Sequence, residues 1–170
     1  MKNFKFSVGF TLLELMIVVA VISILFAGVL TILNPYDQIQ KANDVRRKSD
    51  LSQIQKALEQ YYQDNGRYPA ASTDNSYQIV GVNNNIIPWG SAWVPYINLL
   101  SKDPSSPNKT YVYIIDATGQ AYFLYASLDR GGRDSQACNS GNACPNIPAG
   151  AQQACRGVCN YGVSSPNVSP

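Results

Sequence analysis

Gly9-Phe10-Thr11-Leu12-Leu13-Glu14 opens the longest apolar stretch of this 170-residue chain, and the fold turns on how it is read. Residues 15–33 run nineteen positions without a charge. Counted from Phe10 the run is twenty-four long, with Glu14 as its only charged side chain. A helix rises about 1.5 Å per residue, so this length crosses a hydrocarbon layer of about 30 Å. The stretch reads as a membrane span. A carboxylate at mid-membrane costs upward of about 2.5 kcal/mol, so Glu14 calls for a cationic partner unless it sits at the interface among headgroups and water. Ahead of the span, residues 1–9 form a short polar leader with Lys2 and Lys5, ending in glycine. A secretory signal is cut after its apolar region. Here the only suitable cut lies before it, between Gly9 and Phe10.

Those six residues match, position by position, the processing motif of type IV pilins and type II secretion pseudopilins, and the chain resembles that family. The resemblance implies that a prepilin peptidase cuts after Gly9 at the cytoplasmic face and methylates the new amino terminus at Phe10. Glu14 falls where the family uses a carboxylate to attract the amino terminus of a neighbouring subunit. A charge-assisted hydrogen bond to that ammonium is what makes a buried acid tolerable. The implied partners are copies of the chain in a helical filament, the peptidase and methyltransferase, an inner-membrane assembly platform, and minor pilins or pseudopilins. The implied location is a single pass through the cytoplasmic membrane, with the amino terminus in the cytoplasm and the head outside. An extracellular or periplasmic filament follows.

Composition narrows the rest. The thirteen basic side chains exceed the eleven acidic ones only through Lys2 and Lys5, so the remainder offers no basic excess for nucleic acid. The chain has no histidine, which removes the commonest general base and nitrogen ligand, and no other group is placed beside a nucleophile. An enzyme is not expected. The soluble part, about 105 residues after the long helix, can bury only a modest core.

Beyond the span, whose Ser23, Gly28 and Thr31 are small enough for close helix approach, Asn34-Pro35 interrupts the helical hydrogen bonding. Either the helix stops and restarts, with Asn34 as cap and Pro35 at the first position, or it kinks. A kinked, essentially continuous rod is expected, because the helical signal resumes at once. From residue 36 to 65 the composition turns polar, while Leu51, Ile54, Leu58 and Tyr61 recur at spacings of three and four and form the stripe on which a head packs. Asp44 and the run Arg46-Arg47-Lys48 read as a solvated surface, with lipid headgroups or acidic residues of adjacent subunits in a fibre as the alternatives for the basic run. Asn65-Gly66 ends the helix through a left-handed glycine, and Tyr68-Pro69 prevents a restart.

In the head, residues 70–90 read as a loop with one short strand at residues 77–80. Trp89, Trp93, Tyr96, Leu99 and Leu100 read as packing residues rather than a ligand platform. Residues 111–115 and 121–128 form a β-hairpin around a five-residue loop, with one face on the helix and the other outward. These head motifs resemble the major-pseudopilin branch, and the resemblance covers about residues 1 to 130. Asp129 and Asp134 flank a glycine turn and are candidate calcium ligands, since that branch has a calcium site in this part of its fold. Two intervening arginines, and the lack of any later acid, favour an ordinary turn instead.

The segment beyond departs from that branch. Cys138, Cys144, Cys155 and Cys159 lie among Ser, Asn, Gly, Ala and Pro, with five, ten and three residues between them. That spacing lacks the paired knuckle of a zinc site, and an exported domain meets oxidising conditions, so disulfides are expected. Three pairings are open. The segment is expected to be an exposed, stapled loop.

The expected architecture is α+β. Residues 1–9 are the leader, 10–33 the transmembrane and filament-core helix, 34–66 the stalk helix, 67–134 a small antiparallel head, and 135–170 the cysteine loop and tail. The expected function is a structural subunit of a type IV pilus-like filament or a type II secretion pseudopilus. The head motifs favour the pseudopilus and the cysteine loop leans to the pilus. A reading from another class keeps the chain permanently membrane-anchored, as an extracytoplasmic binding module with Glu14 at the interface.

Overall fold

The computed structural model describes residues 9–74 and 76–170, so most of the leader lies outside the described residues. The fold is α+β, and it divides into two compact units, Met1–Ile39 and Gln40–Pro170.

The first unit is dominated by helix α1 (Leu12–Leu33). Thr11 caps it in extended geometry, and its hydroxyl accepts the Glu14 N–H at 3.2 Å. This satisfies one of the donors a helix start leaves open. The helix stops at Asn34, whose backbone is left-handed (φ 37°, ψ 76°), and helix α2 (Pro35–Asn65) begins at the next residue. The expected continuous rod is thus corrected to a stop and a restart. Asparagine tolerates the left-handed region, and proline at a first helical position has no N–H to waste. The Asn34 carbonyl accepts the N–H groups of Asp37 at 3.0 Å and Gln38 at 3.4 Å, which seeds the new helix.

The second unit is built on the rest of α2. Leu51, Ile54, Leu58 and Tyr61 are buried along one side, as their spacing predicts. Each large apolar side chain so buried contributes about 1.5–3 kcal/mol. At the helix end Gly66 takes φ 70° and returns its N–H to the Tyr62 carbonyl at 2.8 Å. The following segment holds three short antiparallel strands, β1 (Ala70–Ala71), β2 (Ile79–Val80) and β3 (Ile86–Ile87), where one was expected. Trp93 packs on Tyr61 and Tyr96, and Trp89 stands edge-on to Tyr111, so both tryptophans are packing residues.

The expected hairpin is present as β4 (Val112–Ile115) and β5 (Tyr122–Ala126), with Val112 opposite Tyr125 and Ile115 opposite Tyr122. Asp116 shapes its loop by accepting the N–H groups of Thr118, Gln120 and Ala121. The hairpin differs from expectation in having neither face free. Tyr111, Tyr113, Tyr122 and Leu124 join the core on α2. The alternate residues Val112 and Tyr125 are equally buried, beneath Cys144, Ile147, Ala151, Cys155 and Cys159.

The cysteine segment is therefore no exposed loop. It covers the second face of the sheet and ends in strand β6 (Tyr161–Ser164), antiparallel to β5. The disulfides close Cys138 to Cys144 and Cys155 to Cys159. Its few apolar side chains suffice because it lies close to the sheet. A Cβ on Gly162 would stand 2.7 Å from the Tyr125 ring, so only glycine lets β6 approach.

Candidate functional site

Two places in the chain concentrate chemistry. The first is the start of α1. Phe10, Leu12, Leu13, Leu15, Met16 and Ile17 are all more than half exposed, and over Leu12–Val29 the helix leaves a predominantly apolar surface uncovered. Leu12–Val29 has a mean hydropathy of 2.7, which makes it long and apolar enough to cross a membrane. An uncovered apolar surface of this extent marks a lipid or protein contact. Glu14 stands exposed within it, one turn from the cap and four residues after Phe10.

The second place lies where sequence predicts a solvated surface, and it is buried. Arg47 has no exposed surface, and Asp44 and Asp50 are nearly as enclosed. The Arg47 guanidinium grips Asp103 with two bonds, Nε to Oδ2 at 2.8 Å and Nη2 to Oδ1 at 3.2 Å. Its Nη1 donates to Asp44 Oδ1 at 2.8 Å and to Asp129 Oδ2 at 2.7 Å. Its Nη2 also donates to Ser105 Oγ at 2.9 Å. Burial alone would lower the guanidinium pKa, but the bonds and charges of Asp103 and Asp129 outweigh it and hold the group more firmly protonated than usual. Asp44 in turn accepts the N–H groups of Asp129 at 2.8 Å and Arg130 at 2.9 Å, and Lys109 donates to Asp129 Oδ1.

The neighbours on α2 extend this attachment. Lys48 Nζ reaches both Asp134 oxygens, at 2.7 and 2.6 Å, and lies 5.5 Å from the centre of the Tyr161 ring. Asp50 accepts the Tyr111 hydroxyl at 2.7 Å, and burial followed by that bond pushes the phenol pKa well up. Burial raises the Asp129 carboxyl, but hydrogen bonds from Lys109 and Arg47 prevail and bring it below the ordinary range. Asp134 is lowered likewise, with Lys48 overcoming the desolvation.

Each sequence candidate has a place in this arrangement. Phe10 and Glu14 share the exposed end of α1, and the four cysteines pair within their own segment. Asp129 and Asp134 are not brought to one point, since the first is held by Arg47 and Lys109 and the second by Lys48. Among the described residues no group of three or more His, Cys, Asp or Glu is placed to hold a metal ion. The buried charges could have been found from the sequence. Asp44 and Arg47 continue the Leu51–Ile54–Leu58–Tyr61 stripe backward at spacings of three and four, and only their charge placed them outside.

An uncovered apolar helix with one acid near its capped start, followed by a head folded around a second helix, defines a pilin-type structural subunit. Residues 34–144 match the family described as Type II secretion system (T2SS), protein G, and residues 9–30 match the Prokaryotic N-terminal methylation motif. The Type II secretion system core protein G of Vibrio cholerae serotype O1 is 32% identical over 139 residues, which span 81% of this chain and 92% of that protein. The protein of the same name from Klebsiella michiganensis is 33% identical over 99 residues, or 56% of this chain and 66% of that one. No solved structure matches the chain. The chain belongs to the type II secretion system protein G family, the major pseudopilins. Its methylation motif marks a prepilin-like precursor with an N-terminal helix long and apolar enough to anchor it in a membrane, and as a member of this family it is a structural subunit of a secretion pseudopilus.

Proposed function

We propose that the chain is made as a precursor, cut by a prepilin peptidase between Gly9 and Phe10, and methylated on the Phe10 nitrogen. Residues 10–33 then hold it in the cytoplasmic membrane, amino terminus inside and head outside, until an inner-membrane assembly platform draws it into a periplasmic pseudopilus. Residues 34–66 carry the head, 67–134 form its first sheet and the β4–β5 hairpin, and 135–170 add strand β6 and close the second face. Minor pseudopilins are further partners. The chain works by assembly and not by catalysis. It has no histidine, and its relatives are named as secretion-system core proteins.

The observation that carries this reading is Glu14. It is the only charged side chain among residues 10–33, on a helix that is uncovered over Leu12–Val29, and it lies close enough to Phe10 to meet a neighbour's amino terminus within a stack of equivalent helices. A helix leaving lipid loses apolar contacts and regains them against identical neighbours, so apolar burial alone favours neither state. An ammonium paired with Glu14 adds a bond that lipid does not offer and fixes the axial register. Mass spectrometry of the protein extracted from membranes tests the processing. The expected amino terminus is Phe10 with one added methyl group, and retention of residues 1–9 overturns the proposal.

A further inference from the structure

Calcium is the ion that the resemblance implies near Asp129 and Asp134, and the residues do not fit it. Calcium takes six to eight oxygens at about 2.3–2.6 Å. Here all six carboxylate oxygens of Asp44, Asp103 and Asp129 already accept from the protein. Asp44 takes Arg47 and two backbone N–H groups, and Asp103 takes Arg47 twice and the Ser105 N–H. Asp129 takes Arg47 and Lys109. A divalent ion would have to displace two tethered cations. The glycine turn adds nothing, because Asp134 is held separately by Lys48.

We propose that the Arg47 guanidinium is the head's permanent structural cation, joining three chain segments by its own charge so that the head keeps its shape without calcium. A guanidinium has five N–H donors in a rigid plane. All five are used here: Nε on Asp103, Nη1 on Asp44 and Asp129, and Nη2 on Asp103 and Ser105. The acceptors come from α2, from residues 103–105 and from the segment after β5, which are distant in sequence and would otherwise present like charges to one another. This is the task of a coordinated metal, done by a side chain that neither dissociates nor titrates in the ordinary range. The proposal implies a reciprocal result. Once Arg47 is removed, three carboxylates lose the cation they share, and a divalent ion neutralises such a surplus of negative charge better than potassium at equal ionic strength.

Thermal unfolding of the full chain in detergent micelles, followed by circular dichroism in EGTA and in millimolar calcium chloride, tests this. Wild-type Tm is expected to be the same in both. Arg47→Ala is expected to lose more than about 8 °C in EGTA and to regain part of the loss with calcium, but not with potassium chloride at equal ionic strength. A saturable rise of wild-type Tm with calcium overturns the proposal. So does an Arg47→Ala protein as stable as wild type, or a loss that calcium does not relieve. Should Arg47→Ala fail to fold, Arg47→Lys keeps one charge and loses the fork. It is expected to unfold well below wild type and to ignore calcium, and a wild-type Tm in that variant overturns the proposal.

Discussion

Leu12–Val29 carries its apolar side chains outward, whereas a few turns along the chain Asp44, Arg47 and Asp50 carry their charges inward. Both segments are helical, and both invert the usual sorting of side chains. The first leaves its inversion unresolved within one molecule, so lipid or other subunits must cover it. The second resolves its inversion within the chain, because every buried carboxylate finds a cation, a hydroxyl or a backbone N–H. The difference separates what assembly requires from what folding requires. A change in α1 should alter association and leave the head intact, while a change around Arg47 should do the reverse.

The largest expected effect comes from Glu14→Ala. The protein should still insert into membranes with an intact head, while filaments seen by electron microscopy disappear. Normal filaments would remove Glu14 from the assembly role. Next is Asp103→Ala, which strips two bonds from a buried guanidinium and should cost about 3 kcal/mol in urea unfolding. The exposed neighbour change Arg46→Ala should stay within about 0.5 kcal/mol, so equal losses in the two variants would break the distinction between buried and surface charge. The smallest effect is a pH dependence. Asp129 and Asp134 have folded pKa values below their unfolded ones, so they add stability above about pH 4 that is lost as the pH falls through the folded values. The Tm should be level between about pH 7 and 5 and decline below about 4, with Asp134→Asn flattening part of the decline. A decline that begins near neutrality would assign it to other groups.

Much of this fold is legible in the residues, and the illegible parts share a cause. The apolar run, the Leu51 stripe, the left-handed Gly66 and the β4–β5 hairpin each follow from a local pattern with one physical reading. Arg47 continues the same stripe, but the partners that make its burial tolerable are acids 56 and 82 positions away. No local pattern reports that they converge on one guanidinium. The packing of the cysteine segment is illegible for a related reason. Its apolar content is low, yet cystines and glycines let it lie so close to the sheet that Cys155 and Cys159 are fully buried. At Asn34-Pro35 sequence allows both a kink and a break, and the chain breaks because asparagine accepts a conformation that most residues avoid. At the processing end the sequence motif already named Gly9, Phe10 and Glu14, while the geometry contributes Thr11, whose hydroxyl caps the amide of Glu14 itself.

Strand β6 has a further consequence for how the molecule comes into being. The outer edge of β5 stays unpaired until residues 161–164 arrive, and the Cys138 N–H waits for the Asn160 carbonyl as the Cys144 N–H waits for that of Cys159. A polypeptide emerging amino end first therefore travels most of its journey with a half-finished sheet, and the seam closes only when its closing segment emerges. Ending translation short of Tyr161 would leave not a shorter head but an open one.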